Sequence, residues 1–218
     1  MPTPRREPPE AALRALFRAI ATGNVTEALR LLAATPTLAT DAAAVGASRK
    51  GAEGYFFEEI SHYAYAGDTP LHLAAAAHQP DILRTLLAHG ATVRAKNRRG
   101  AEPLHYATDG VPGSAAWNPQ AQAKVIRLLL AAGAQPNAVD KSGVAPLHRA
   151  VRTRCSAAVR ALLERGADAR LTNKNGSTPL ELAQKNSGRG GTGSDIARRE
   201  QAAIVALLLK HGADATQD

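Results

Sequence analysis

Seven histidines, one cysteine and two glycine-rich stretches are the places where this 218-residue sequence could do chemistry. Gly188-x-Gly190-x-x-Gly193 has the letters of a dinucleotide-binding loop, but that loop needs a β-strand before it inside a βαβ unit. A helical stretch precedes it here, so the segment reads as a flexible helix–helix linker. Gly46 to Gly51 has the spacing of a phosphate-cradling loop, yet Ala52 stands where its lysine must be. Cys155 could serve as a nucleophile only beside an activating base. It falls at the start of a helical stretch, where a packed or half-exposed, inert thiol is expected. The sequence has neither the His-x-x-x-His nor the paired-cysteine spacing that holds zinc. No catalytic residue, cofactor or metal is therefore expected, and the chain reads as a non-enzyme.

The elements that position these residues repeat. Pro70-Leu71-His72, Pro103-Leu104-His105, Pro146-Leu147-His148 and Pro179-Leu180-Glu181 follow one another at 33, 43 and 33 residues. Downstream of each comes Leu-Leu-x-x-Gly-Ala, ending at Ala91, Ala134, Ala167 and Ala213, and three residues before each proline sits Gly67, Gly100, Gly143 or Gly176. Self-similarity at this period signals a stacked array whose single units cannot bury their apolar face alone. Each unit reads as two short helices and a turn. Thr69 is a good N-cap and Pro70 suits the first helical position. Ile82, Leu83, Leu86 and Leu87 recur at helical spacing for a second, amphipathic helix, and Gly90 ends it.

These residues resemble the ankyrin repeat, with its Thr-Pro-Leu-His-x-Ala-Ala helix, its Leu-Leu-x-x-Gly-Ala helix end and its β-turn finger. The resemblance implies an all-α solenoid of stacked helix-turn-helix units with β-turn fingers. The units are expected at about 67–99, 100–142, 143–175 and 176–214, with a weaker capping unit at 11–34. Pro-rich residues 1–10 read as a disordered tail, and 11–218 as a single domain. The resemblance also makes His72, His105 and His148 structural, tying each turn to the neighbouring unit. Glu102 and Ala145 depart from the threonine and Glu181 from the histidine; the alanine should weaken its cap by ~0.5–2 kcal/mol. Three insertions interrupt the pattern: an aromatic one at about 35–66, one around Asp109–Pro119 and one around Asn186–Ile196. Such surface insertions cost little and often carry binding.

The net charge is +8, and it is concentrated: residues 82–101 carry +5 and residues 141–174 carry +6. Two residues before the finger glycines stand Tyr65, Arg98, Lys141 and Lys174; nine after them stand Ala76, Asp109, Arg152 and Lys185. Stacked helices pack ~8–10 Å apart, so equivalent residues form columns. With Arg94, Lys96 and Arg99, the two basic windows fall largely on one face, while Arg160 and Arg165 should point to the back. The first insertion supplies Tyr55, Phe56, Phe57, Tyr63 and Tyr65, either as a plug over the first units or as an aromatic anchor beside the cations. Trp117 is a further aromatic candidate.

The expected role is protein–protein interaction: a basic concave face of fingers and inner helices engaging an acidic protein or peptide. The competing reading is non-specific nucleic-acid binding by the same face, consistent with a pI near 10.1. No apolar run approaches the ~20 residues of a membrane span, and the N-terminus lacks the apolar core of a secretory signal. A cytoplasmic location is expected.

Overall fold

A computed structural model describes residues 9–49, 51–114, 117–185 and 194–213. Among these, ten α-helices form five successive antiparallel pairs: α1 (Pro9–Ala21) with α2 (Val25–Ala34), α3 (Pro70–Ala76) with α4 (Pro80–Ala88), α5 (Pro103–Ala107) with α6 (Pro119–Ala131), α7 (Pro146–Arg152) with α8 (Ser156–Leu163), and α9 (Pro179–Gln184) with α10 (Asp195–Lys210). Helix α1 starts two residues inside the expected tail, whose first eight residues lie outside the described ones. The glycine-rich run Gly188–Gly193 lies outside them too, and α10 takes up Asp195 and Ile196 from the expected third insertion.

The inner helices are short because little in them faces water. All seven residues of α3 are buried, and their small side chains let α1 and α5 pack on either side. The outer helices are amphipathic: Ile82, Leu83 and Leu86 of α4 face inward, as do Val125, Ile126 and Leu129 of α6. One continuous apolar core runs from Leu13 to Ala213.

Between units the chain makes fingers, and the fingers stack by backbone hydrogen bonds. The Arg98 N–H donates to the Ala66 carbonyl at 2.8 Å, Lys141 N–H to Arg99 at 2.9 Å and Lys174 N–H to Ser142 at 3.3 Å. Gly143, at φ 71°, shows why the finger glycine is needed: a Cβ there would lie 2.7 Å from the Lys174 nitrogen. Asn97, Asp140 and Asn173 stiffen each finger from inside. Each Oδ1 accepts two N–H groups from the turn that follows, at 2.8–3.2 Å.

The histidines rivet one unit to the next. Nδ1 of His72, His105 and His148 accepts the backbone N–H of Thr69, Glu102 and Ala145 at 3.1, 3.1 and 3.2 Å. The opposite nitrogen then donates forward to the carbonyl of Ala101, Val144 and Ser177 at 3.1, 3.0 and 3.2 Å. Burial lowers the pKa of all three, that of His105 to about 4, which suits neutral rings with the proton on Nε2.

The first insertion folds back on the second unit. After a 3-10 turn at Pro36–Ala39 it pairs with 64–68: Ala43 N–H to Asp68, Gly67 N–H to Ala43 and Ala47 N–H to Ala64, each at 2.8 Å. A Cβ on Gly46 would lie 2.4 Å from the Tyr65 carbonyl carbon, so only glycine admits this approach. A two-residue hairpin, β1 (Phe56–Phe57) against β2 (His62–Tyr63), caps the loop.

Candidate functional site

The fingers and inner helices enclose one open groove of about 1460 Å³. Tyr65, Arg99, Trp117, Lys141, Arg152 and Lys174 all line it, and so does the whole inner-helix column Ala76, Asp109, Arg152 and Lys185. Arg94 and Lys96 do not: they are exposed outside the groove, and Lys96 Nζ stands 3.8 Å from Glu102 Oε1. Glu102, at the N-cap of α5, is buried, and that burial raises its carboxyl pKa against the pull of Lys96. Arg160 and Arg165 are exposed and likewise lie outside the groove.

The cations divide into tethered and free ones. Arg98 and Arg99 both lie against Tyr65, their guanidinium carbons 5.3 and 5.1 Å from its ring centre. Arg98 also donates to the Ala47 carbonyl and Arg99 to the Tyr65 hydroxyl at 3.1 Å. Lys141, Arg152, Lys174 and Lys185 are exposed, and among the described residues they form no ion pair.

Asp109 interrupts the cation column in the sequence, but it is engaged within the protein. His62 Nε2 lies 3.0 Å and Arg149 Nη1 3.4 Å from its Oδ2. Burial works to raise the carboxyl's pKa, and Arg149 with His62 outweighs it and holds the group below its ordinary value. Arg149 also faces Asp140 at 3.7 Å. Beneath this cluster, the buried Tyr106 hydroxyl donates to Asp68 Oδ2 at 2.9 Å and accepts from Asn97 Nδ2 at 2.8 Å, and the His62 ring lies tilted against the phenol ring with centres 4.3 Å apart. Buried beside Asp68, the phenol has its pKa raised well above the ordinary value.

The aromatics of the insertion separate by strand alternation. Phe57 is buried in the core, while Phe56 is 43% exposed and packs on Tyr63 with ring centres 4.7 Å apart. Tyr55 is half-buried under Arg14, 5.1 Å from its ring. Trp117 is half-buried at the groove wall, and its Nε1 has no partner among the described residues. The loop is thus both plug and rim.

Cys155 is buried at the start of α8, and burial pushes its thiol up to about 11; it is not poised for attack. Among the described residues no group of three metal-ligating side chains converges, and no helix is long and apolar enough to cross a membrane. What the groove offers chemically is a row of free cations with an aromatic wall at one end.

Residues 16–115 match ankyrin repeats in three copies, and residues 129–183 match ankyrin repeats in many copies. No curated protein matches the chain.

Proposed function

The chain belongs to the ankyrin-repeat family, whose members are generally protein–protein interaction modules, and from that premise we propose that it is a non-enzymatic module that binds an acidic protein or peptide along its groove. The observation that carries this reading is the set Lys141, Arg152, Lys174 and Lys185: four exposed cations on one concave wall, unpaired among the described residues. The neighbouring acid, Asp109, is already engaged from within, paired with Arg149 and bonded to the His62 ring. Tyr65, Arg99 and Trp117 extend the wall with the residue types that dominate binding hot spots. The buried, unpaired Cys155 suits a cytoplasmic setting.

Fluorescence anisotropy with a labelled acidic peptide at about 150 mM salt tests this. Replacing Lys141, Arg152 and Lys174 with glutamate together should weaken binding about tenfold, since rim charges are worth about 0.2–1 kcal/mol each and their reversal adds repulsion. Unchanged affinity would remove the groove from consideration. The +8 net charge favours nucleic acid as a second reading. Single-stranded RNA bound under the same conditions, more tightly than the peptide, would put that reading first.

A further inference from the structure

At the end of the groove lies a second, smaller cavity of about 110 Å³ between α7, α9 and α10. Three cations line it, Arg152, Arg154 and Lys185, and no acid does. Arg154 is the unusual member. It is 4% exposed, and among the described residues its guanidinium has neither a hydrogen-bond nor an ion-pair partner. The nearby acid on α10, Glu200, accepts the Ser156 N–H at 2.7 Å and makes no ion pair with it. The Ala183 carbonyl in the cavity wall accepts Gln201 Nε2 at 2.7 Å and makes no bond with Arg154.

Confining an unpaired cation to a small cavity, at 4% exposure, costs stability unless something supplies the opposite charge. Arg154 also holds a left-handed backbone at φ 57°, where a long side chain is disfavoured. The left-handed turn belongs to the repeat, since His78 shares it at the equivalent place; the unpaired, nearly buried charge is what marks a site whose partner arrives from outside. Its charge identifies that partner. Three positive groups exceed what one carboxylate can match, whereas a phosphomonoester carries about −1.5 to −2 and three acceptor oxygens. Arginine is the side chain whose paired N–H groups fit such a group. The cavity is large enough, since a single water needs only about 10–15 Å³ on this measure. Arg152, Leu182 and Lys185 line both the cavity and the groove, so the two are continuous.

We infer that Arg152, Arg154 and Lys185 form a binding pocket for a phosphomonoester group, carried as phosphoserine or phosphothreonine on the acidic segment that occupies the groove. This rests on the groove being the partner's seat, and the test keeps the two separable. Calorimetric titration of the full chain with inorganic phosphate should show saturable one-to-one binding, lost at least tenfold in Arg154→Met and retained in Arg160→Met on the back. An acidic peptide should bind at least tenfold more tightly when it carries one phosphoserine, and Arg154→Met should erase that gain while leaving the unphosphorylated peptide's affinity unchanged.

Failure of wild type to bind phosphate, or a phosphoserine gain that survives Arg154→Met, would overturn the pocket. Arg154-dependent phosphate binding without any gain for the phosphopeptide would overturn the polypeptide as the carrier. Arg154-dependent phosphate binding with no affinity for either peptide would overturn the groove reading and leave the pocket standing.

Discussion

The interface between the second and third units and that between the fourth and fifth bring the same three positions together. In the first, His78 turns the chain at φ 50° and its Nε2 bonds the Ala107 carbonyl at 3.2 Å, which Gln122 Nε2 reaches at the same distance. In the second, Arg154 turns the chain at φ 57° and Gln201 alone takes the Ala183 carbonyl. An imidazole is short enough to finish in the wall, and burial keeps it neutral by lowering its pKa. A guanidinium cannot shed its charge, so it remains facing a cavity. The repeat therefore fixes where a side chain sits but not whether its needs are met there.

The largest expected effect breaks the closed, riveted kind of interface. His105→Ala removes an acceptor and a donor from a fully buried position and should cost about 3 kcal/mol in urea unfolding at pH 7.5. The same ring sets a pH dependence. Its folded pKa of about 4 lies below the ordinary 6.5, so the unfolded chain takes up the proton first. The contribution is complete above about pH 6.5 and is lost as pH falls toward 4, at about 1.4 kcal/mol per pH unit. His72 and His148 shift in the same direction. Denaturation midpoints should fall steeply across that window, and less steeply in His105→Ala.

A middle-sized effect sharpens the comparison. His78→Ala loses one buried bond and leaves alanine at positive φ, for an expected loss of about 2 kcal/mol. The smallest comes from the open interface. Arg154→Met removes an unmatched charge at the same kind of turn, and thermal unfolding in phosphate-free buffer should show stability within about 0.5 kcal/mol of wild type, or slightly higher. Equal losses at positions 78 and 154 would mean that the two interfaces do not differ as described.

The periodic part of the molecule was legible from residue spacing. Pro70, Pro103, Pro146 and Pro179 each begin a helix, and the column Ala76, Asp109, Arg152 and Lys185 faces one groove because stacked units share a register. Contacts that cross an insertion were not. His62 reaches Asp109 over 47 residues, along a loop path set by where Gly46 meets the Tyr65 backbone, and no local pattern encodes that. Asp109 itself looked like a gap in the basic column because a charge count along one column omits Arg149 on the next helix. Phe56 and Phe57 are the same letter twice, and only strand pairing sends one outward and the other into the core. Arg154 was invisible for a similar reason: the cavity it lines is completed by Gln201 and Ile204, on the far side of the third insertion.

The forward-pointing histidines also give the array an order of assembly. Each ring is held by its own unit's first turn but offers its remaining hydrogen to a carbonyl made later in the chain. During synthesis, at about 5–20 residues per second, a newly finished unit therefore waits a few seconds with that one donor still turned to water. The next unit then settles onto a surface that already presents the group it must meet. Glu181 interrupts this relay. Its carboxylate only accepts, from the Thr178 N–H at 2.8 Å, so the unit that carries it leaves nothing outstanding.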